Sequence, residues 1–121
     1  MMDSETSIKE LKDKIKKFCE ARDWDQYHNV KDLSIGIATE SAELLELFRF
    51  KSERDVEAML KEPKRRNLIE GEIADVFYFL LRLAQKYNID LAESVERKLK
   101  NNEEKYPIEK IKGSNKKYTE L

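Results

Sequence analysis

The sequence has few of the residues that form disulfides, bind zinc or make turns, and each shortage excludes a class of protein. Its single cysteine, Cys19, cannot form an intramolecular disulfide and is typical of a reducing compartment. With one histidine and one cysteine, an ordinary zinc site is hard to build. Three glycines and two prolines in 121 residues allow few turns. We therefore predict an all-α fold, with residues 1–121 forming a single domain.

Long apolar runs and a strong excess of one charge are also missing. The longest apolar run, VFYFLL at residues 76–81, is far shorter than the roughly 18 residues of a membrane span. The N-terminus lacks the apolar segment of a signal peptide. The net charge is −1, and the one basic block, KRR at residues 64–66, is interpreted as a solvated linker. We expect a soluble, cytoplasmic protein that binds neither membranes nor nucleic acid.

Apolar residues recur at helical spacing along most of the chain. The predicted helices are one with the stripe Ile8, Leu11, Ile15 and Phe18, a second from Leu33 to Phe50, a third from about Leu68 to Tyr87, and a fourth from Asp90 that stops at Pro107. A short additional helix around residues 52–63 would be ended by Pro63. The remaining residues are predicted to form a polar tail around Gly113. The expected architecture is a bundle of four to five helices.

The third predicted helix is apolar nearly all round between Ile73 and Ala84. A surface helix normally keeps one polar side, and a chain of 121 residues has little structure of its own with which to cover a second apolar side. Another subunit is the simplest cover for such a helix. We therefore predict an oligomer.

Two of the predicted helices carry acids on the face that otherwise holds apolar residues. Glu40 and Glu43 share a face with Leu33 and Leu44, and Glu72 and Asp75 share one with Ile69, Val76 and Phe79. Spacing alone proves little, because 25 acids among 121 residues give about five i,i+3 pairs by chance and the sequence has seven. Only these two pairs lie wholly within an apolar stripe. Carboxylates are almost never fully buried unless they are paired or bound to metal.

If these two helices pack antiparallel, their four carboxylates meet at one interface. Like charges at that distance cannot all ionise without cations. Oxygen ligands select Mg²⁺, Mn²⁺ or Ca²⁺, and an excess of carboxylates suggests more than one ion and a polyphosphate ligand. The alternative is that the acids pair with lysine or arginine across a subunit interface, and the spacing does not decide between the two.

The acid pairs belong to longer blocks that resemble a known family. ESAE at residues 40–43 and EIAD at residues 72–75 fit the ExxE and ExxD pattern of the all-α nucleoside triphosphate pyrophosphohydrolases, the MazG-like superfamily. Five blocks resemble, in order, its dCTP pyrophosphatase branch: ARDWDQYH, ESAELLELFRF, EIADVFYFLLRLA, IDLAESVERKLKNNEEKYP and GSNKKYTEL. Because they span nearly the whole chain, the resemblance is far more specific than ExxE alone.

The resemblance implies hydrolysis of a nucleoside triphosphate to the monophosphate and pyrophosphate, with Mg²⁺ as cofactor or Mn²⁺ in its place. The implied catalytic metal ligands are Glu40, Glu43, Glu72 and Asp75. The implied substrate-binding residues are Trp24, His28, Phe50 and Phe79 at the base, Lys98, Asn102 and Tyr106 at the phosphates and sugar, and Lys117 and Tyr118 from a neighbouring subunit. A homodimer or homotetramer and a preference for dCTP or modified pyrimidine deoxynucleotides are implied as well.

Several residues depart from the branch pattern and leave the substrate open. Phe50 and Phe79 stand where Trp and Tyr are common in the branch, and NVKDL follows His28 where branch members tend to have Pro and Arg. Phosphoribosyl-ATP pyrophosphohydrolase activity is one alternative. A non-enzymatic helical oligomerisation module, with the acids in interface ion pairs, is another. Without the resemblance, Trp24 would be interpreted as a core-packing residue and His28 as a hydrogen-bonded structural one.

Overall fold

The computed structural model describes residues 1–121 and contains helices, turns and no strands. The six α-helices are α1 (Ile8–Ala21), α2 (Val30–Glu46), α3 (Glu53–Lys61), α4 (Pro63–Lys86), α5 (Leu91–Lys105) and α6 (Ile108–Ile111). Short 3-10 helices occupy Asp3–Glu5, Asp25–Tyr27 and Tyr118–Glu120. The prediction of an all-α fold is confirmed. None of the helices combines the length and the apolar content that crossing a membrane requires.

The chain divides into two compact units, Met1–Asn88 with α1 to α4 and Ile89–Leu121 with α5 and α6. The single-domain organisation stays a prediction. In the first unit α4 is the central helix, because it packs against α2, α1 and α3. The buried apolar side chains of this unit are Cys19, Leu33, Met59, Ile69, Leu81 and Ala84. Cys19, the single cysteine, is completely buried among them.

Polar residues determine where four of the helices begin. The side chains of Ser7, Asn29 and Asp90 each accept a hydrogen bond from the backbone N–H three residues further on. Ser52 does the same and forms a full capping box with Asp55. Each of these caps provides a partner for a backbone N–H that has none inside the helix, which typically stabilises a helix by about 1 kcal/mol.

Pro63 both follows the end of one helix and begins the next, and the sequence-based prediction includes only the first of these roles. The short helix α3 is present, but α4 starts at Pro63, whose fixed φ and missing N–H suit the first position of a helix. Residues 64–66 therefore lie in the first turn of α4, and their interpretation as a linker is wrong. Only Glu62, held extended before the proline, separates α3 from α4.

α2 lies closer to the N-terminus than its apolar pattern predicts. It runs from Val30 to Glu46, whereas the pattern predicts a helix from Leu33 to Phe50. Turns follow it, and Phe50 adopts a φ of 61°, in the left-handed region that is uncommon for residues other than glycine. The predicted acid pair is unaffected, because Glu40 and Glu43 both lie inside α2.

α4 keeps apolar side chains exposed on more than one side. Its Leu68 and Ile73 are 54% and 51% exposed, and Phe77 and Leu80 are each 39% exposed. The same helix supplies Ile69, Leu81 and Ala84 to the core, so it is apolar on more than one side, as its sequence predicts.

Candidate active site

Three carboxylates meet where α2 packs along α4. Glu40 and Glu43 project from α2 and Glu72 projects from α4, and one oxygen of each lies within 4.8 Å of the others. The i,i+3 spacing of Glu40 and Glu43 places both on one side of α2, and Glu72 faces them across the helix pair. Such a group could hold a cation through oxygen ligands, which suit Mg²⁺ and Mn²⁺.

The carboxylates of this acidic cluster are short of partners. The Oε2 atoms of Glu40 and Glu72 are buried and accept no hydrogen bond. None of the eight salt bridges of the chain reaches Glu40, Glu43 or Glu72. Leaving a buried carboxylate oxygen without a donor is costly. A bound cation would remove that cost.

The electrostatics of the acidic cluster oppose full ionisation. Burial, followed by the carboxyl of Glu43 and the charges of Asp75 and Glu72, raises the pKa of Glu40 above its ordinary 4.5. Burial and the charges of Glu43 and Asp75 likewise raise the pKa of Glu72. Both carboxyls therefore hold protons more tightly than free glutamate does, as expected where like charges converge.

Asp75, the fourth predicted ligand, is close to the acidic cluster without being part of its closest group. It lies one turn after Glu72 on α4, and its charge contributes to the raised pKa of both Glu40 and Glu72. The oxygen atoms that approach within 4.8 Å of one another are those of Glu40, Glu43 and Glu72 only.

A series of aromatic rings runs from α4 to the segment that follows α1. The ring of Phe79 meets Tyr78 at 5.1 Å, Tyr78 meets Phe18 at 6.2 Å, and Phe18 meets Trp24 at 5.6 Å, each edge to face. Trp24 and Phe79, both predicted at the base, thus belong to one aromatic cluster. Phe18 and Tyr78 complete it and were not predicted as site residues. The sequence gives no signal for them, because the contact between Phe18 and Tyr78 joins two different helices.

Gly36 permits a close approach of α2 to this aromatic cluster. A Cβ atom at Gly36 would lie 2.7 Å from Cε1 of Phe79, closer than van der Waals contact allows. Gly36 is one helical turn before Glu40, so the missing side chain lets Phe79 lie against α2 beside the acidic cluster.

An open groove lies along one side of the aromatic cluster. It has a volume of about 630 Å³ and is lined by Lys14, Ile15, Lys17, Phe18 and Tyr78. Its size is within the range of small-molecule sites. Aromatic walls suit a flat ring, and the two lysines suit an anionic group.

Phe50 is not brought into the aromatic cluster. Its side chain is 94% exposed, and its one aromatic interaction is with the guanidinium of Arg49, 4.8 Å from the ring centre. The residues predicted at the base are thus only partly brought together within the chain.

His28 lies at the end of the 3-10 helix Asp25–Tyr27 and is anchored to α4. Its Nδ1 accepts a hydrogen bond from Nε of Arg82 at 2.9 Å. Burial, followed by the charges of Arg82 and Lys86 and opposed by Asp25, lowers the pKa of His28 below its ordinary 6.5. The imidazole is therefore neutral at physiological pH.

In the second unit, two of the five predicted residues contact each other. The rings of Tyr106 and Tyr118 meet edge to face at 6.0 Å, and the ammonium of Lys105 lies 4.8 Å from the Tyr118 ring centre. α6 and the 3-10 helix Tyr118–Glu120 return the C-terminal segment to α5, so the prediction of a simple polar tail is corrected. The other predicted residues of this unit are Lys98, which is exposed, Asn102, which is half-buried, and Lys117, which is exposed.

Comparison with known proteins identifies the family. The model of the MazG-like family matches residues 35–121. The chain belongs to the MazG-like family. It is 32% identical over 117 residues to dCTP pyrophosphatase 1 of Rattus norvegicus and 31% identical over 117 residues to that of Homo sapiens, matches that cover 97% of this chain and 69% of each relative. A crystal structure of a pyrophosphatase from Archaeoglobus fulgidus superimposes with a TM-score of 0.77 at 40% identity, covering 83% of this chain and 92% of that one.

These matches confirm the resemblance predicted from the sequence: this MazG-like chain is similar to dCTP pyrophosphatases. The family match begins at residue 35, so it includes the acidic cluster of α2 and α4 together with the second unit. Trp24 and His28 precede it and fall within the longer matches to the curated relatives. The acids of the cluster thus lie within the residues that the family model matches.

Proposed function

We propose that this chain is a Mg²⁺-dependent nucleoside triphosphate pyrophosphohydrolase that cleaves between the α- and β-phosphates. The observation that carries the proposal is the acidic cluster, three carboxylates within 4.8 Å with two unpartnered oxygens, in a chain similar to dCTP pyrophosphatases. Glu40, Glu43, Glu72 and Asp75 would hold the cation, with Mn²⁺ able to take the place of Mg²⁺.

The reaction needs charge stabilisation and positioning more than covalent catalysis. Mg²⁺ supplies neutralisation of the triphosphate charge and a lowered pKa for bound water. The carboxylates hold their positions on two packed helices, so little reorganisation is needed when substrate binds. Water attacks the α-phosphorus, one of the glutamates accepts its proton, and pyrophosphate leaves with the electrons of the broken P–O bond. No nucleophilic side chain is required.

Pyrimidine deoxynucleoside triphosphates, with dCTP or its modified analogues preferred, are the proposed substrates. Support comes from the names of the curated relatives and from the aromatic cluster, which offers surfaces for a flat ring beside the acids. Stacking alone tolerates every base, whereas hydrogen bonds discriminate far more strongly. Phe50 and Phe79 have no donor, so we expect a preference for dCTP and not exclusive use of it. Removal of damaged nucleotides from the cellular pool is the corresponding role.

Product analysis over a panel of nucleotides tests the reaction and the substrate. With Mg²⁺ and dCTP, equal amounts of dCMP and pyrophosphate should form, and oxygen from ¹⁸O-labelled water should enter dCMP. Release of orthophosphate with dCDP would contradict the reaction type. A clear purine preference, or use of phosphoribosyl-ATP alone, would contradict the proposed base site and leave the acidic cluster in place.

We also propose that the chain assembles as a homodimer or homotetramer. The exposed apolar face of α4 formed by Ile73, Phe77 and Leu80, with Ile73 more than half exposed, is the surface that a second copy would cover. Sedimentation at micromolar concentration should show a dimer or a tetramer. Replacing Ile73 by Lys should shift the chain toward monomer, because burying an unpaired ammonium is unfavourable. A wild-type chain that sediments as a folded monomer would contradict the proposal.

A further inference from the structure

Arg82 is the most completely buried charged residue of the chain. Its side chain is 1% exposed and lies on α4, seven residues and about two helical turns after Asp75. Its guanidinium donates from Nε to Nδ1 of His28 at 2.9 Å, from Nη2 to Oδ1 of Asp25 at 2.7 Å, and from Nη1 to Oε1 of Gln85. All three nitrogen atoms of the guanidinium therefore donate a hydrogen bond, and two of them, Nε and Nη2, bind the segment between α1 and α2.

Lys86, one helical turn after Arg82 on α4, binds the same segment. Its ammonium donates to the backbone carbonyls of Asp25 and His28 and lies 3.2 Å from Oδ1 of Asp25. We name residues 24–29, which Arg82 and Lys86 hold, the docked loop. It contains Trp24 and His28, and it contacts α4 near the C-terminal end of that helix, whereas Glu72 lies near the middle. Arg82 and Lys86 differ in one respect: only Arg82 touches the imidazole.

The contact with Arg82 fixes the protonation of His28. A guanidinium has donors only and stays charged, so Nδ1 of His28 must be the acceptor. A neutral imidazole with an accepting Nδ1 carries its hydrogen on Nε2. Protonation of Nδ1 would break this hydrogen bond and place a third cation beside Arg82 and Lys86, with Asp25 as the one opposing charge. Burial and these two cations keep the pKa of His28 low, in agreement with this assignment.

We propose that Arg82 is a positioning residue that docks residues 24–29 on α4 and holds His28 as the Nε2–H tautomer, so that a neutral donor is presented to the pyrimidine ring. The proposal rests on the proposed function, in which Trp24 and His28 serve the base. Cytosine offers a ring nitrogen and a carbonyl oxygen as acceptors, which a fixed Nε2–H donor can use. Phe50 and Phe79 have no donor of their own, so His28 becomes a source of base discrimination beside stacking.

The single histidine of the chain makes the tautomer directly measurable. In ¹⁵N-histidine-labelled protein at neutral pH, long-range ¹H–¹⁵N correlation should show Nδ1 unprotonated and Nε2 protonated. Arg82→Met removes the donor with a side chain of similar volume, and the charged partner left behind, Asp25, is 57% exposed and keeps its ion pair with Lys86. It should release the imidazole to mixed tautomers and raise its pKa toward 6.5. Lys86→Met, the matched control, loosens the same loop without touching the ring and should keep the Nε2–H tautomer.

Kinetics and titration test the consequence for the base. Arg82→Met should raise KM for dCTP about 5- to 10-fold, which is the loss of affinity expected when one hydrogen bond to the substrate is lost, and should leave kcat within about 2-fold. His28→Gln, whose amide nitrogen lies near the position of Nε2, should restore much of the affinity that His28→Leu loses. Mn²⁺ affinity should be equal in all of these variants, because the acidic cluster is untouched.

The outcomes separate this inference from the proposed function. Titration of the labelled chain with dCMP should shift the Nε2–H resonance, and this readout needs no turnover. A wild-type histidine in the Nδ1–H form, or an unmoved resonance at saturating dCMP, would overturn the role of Arg82 even if hydrolysis is vigorous. A correct tautomer and a shifted resonance in a chain that hydrolyses no nucleotide would contradict the proposed reaction and support the inference. Equal losses of kcat in Arg82→Met and Lys86→Met would show that Arg82 stabilises the fold only and would contradict its role in positioning His28.

Discussion

Replacing Glu40 by Gln is expected to abolish hydrolysis while making the metal-free chain more stable. Glu40 contributes an oxygen to the group that meets within 4.8 Å, and an amide is a much weaker ligand for Mg²⁺. Changing groups that merely support metal ligands costs 10- to 100-fold in metal affinity or activity, so loss of a ligand itself should exceed about 100-fold. Steady-state kinetics with dCTP and saturating Mg²⁺ measures the loss.

Glu46→Gln is the matched control for this substitution. Glu46 lies on the same helix and is exposed, and it pairs with Arg49 at 3.5 Å away from the acidic cluster. The same change of charge there should leave turnover within about 2-fold, since exposed ion pairs contribute little. Asp75→Asn should also lose most activity if Asp75 is the fourth ligand. Unchanged turnover in both Glu40→Gln and Asp75→Asn would remove these acids from the mechanism.

The stability gain of Glu40→Gln should depend on pH in a defined direction. Burial, and then the neighbouring carboxyls, raise the native pKa of Glu40 above its ordinary 4.5. At pH values between 4.5 and this raised pKa, Glu40 is protonated in the native chain and ionised in the unfolded chain. In that window wild-type stability rises as the pH falls. Melting in the presence of a chelator should therefore favour the variant most at neutral pH, and the difference should shrink as the pH falls toward 4.5. A variant less stable than wild type at neutral pH would contradict the proposed repulsion.

The sequence predicted the helices well where capping and periodicity agree. Ser7, Asn29, Ser52 and Asp90 each begin a helix near the predicted place, because an N-cap is a local signal. The end of the short helix before Pro63 was predicted, but the start of α4 at Pro63 was missed, because proline can end a helix or occupy the first position of one and here it does both. The extended conformation of Glu62 separates the two helices.

The acids could be singled out from the sequence, whereas the groups that support the docked loop could not. Glu40, Glu43 and Glu72 lie on apolar stripes, so their convergence follows from helix geometry and the packing of α2 on α4. Arg82 lies within the apolar part of α4, and its partners His28 and Asp25 are 54 and 57 residues away in the sequence. A charge on an apolar helix can be interpreted only when its tertiary partners are known. The same limit applies to the ring contacts of Phe18 and Tyr78.

Removing divalent cations should abolish hydrolysis and lower the melting temperature of the wild-type chain. Mg²⁺ that binds only the native acidic cluster stabilises it by RT ln(1 + [L]/Kd), about 2.7 kcal/mol at 100 times Kd. For a chain of this length the melting temperature should rise by on the order of 10 °C when Mg²⁺ is restored. Differential scanning fluorimetry over a Mg²⁺ titration, at fixed protein concentration, measures the effect.

The shape of this titration separates a metal enzyme from an oligomerisation module whose acids form ion pairs across an interface. If Mg²⁺ binds specifically to Glu40, Glu43 and Glu72, the melting temperature should rise with Mg²⁺ concentration as the site becomes occupied. Mn²⁺ should produce the same rise at lower concentration, because it binds oxygen and nitrogen ligands more tightly. Ion pairs respond instead to ionic strength, so NaCl at equal ionic strength would produce the same change. Glu72→Gln should remove most of the response to Mg²⁺, whereas Glu46→Gln should keep it. If NaCl reproduces the effect of Mg²⁺, or if Glu72→Gln responds as strongly as wild type, the unpartnered oxygens of Glu40 and Glu72 are satisfied by a neighbouring subunit and not by a cation.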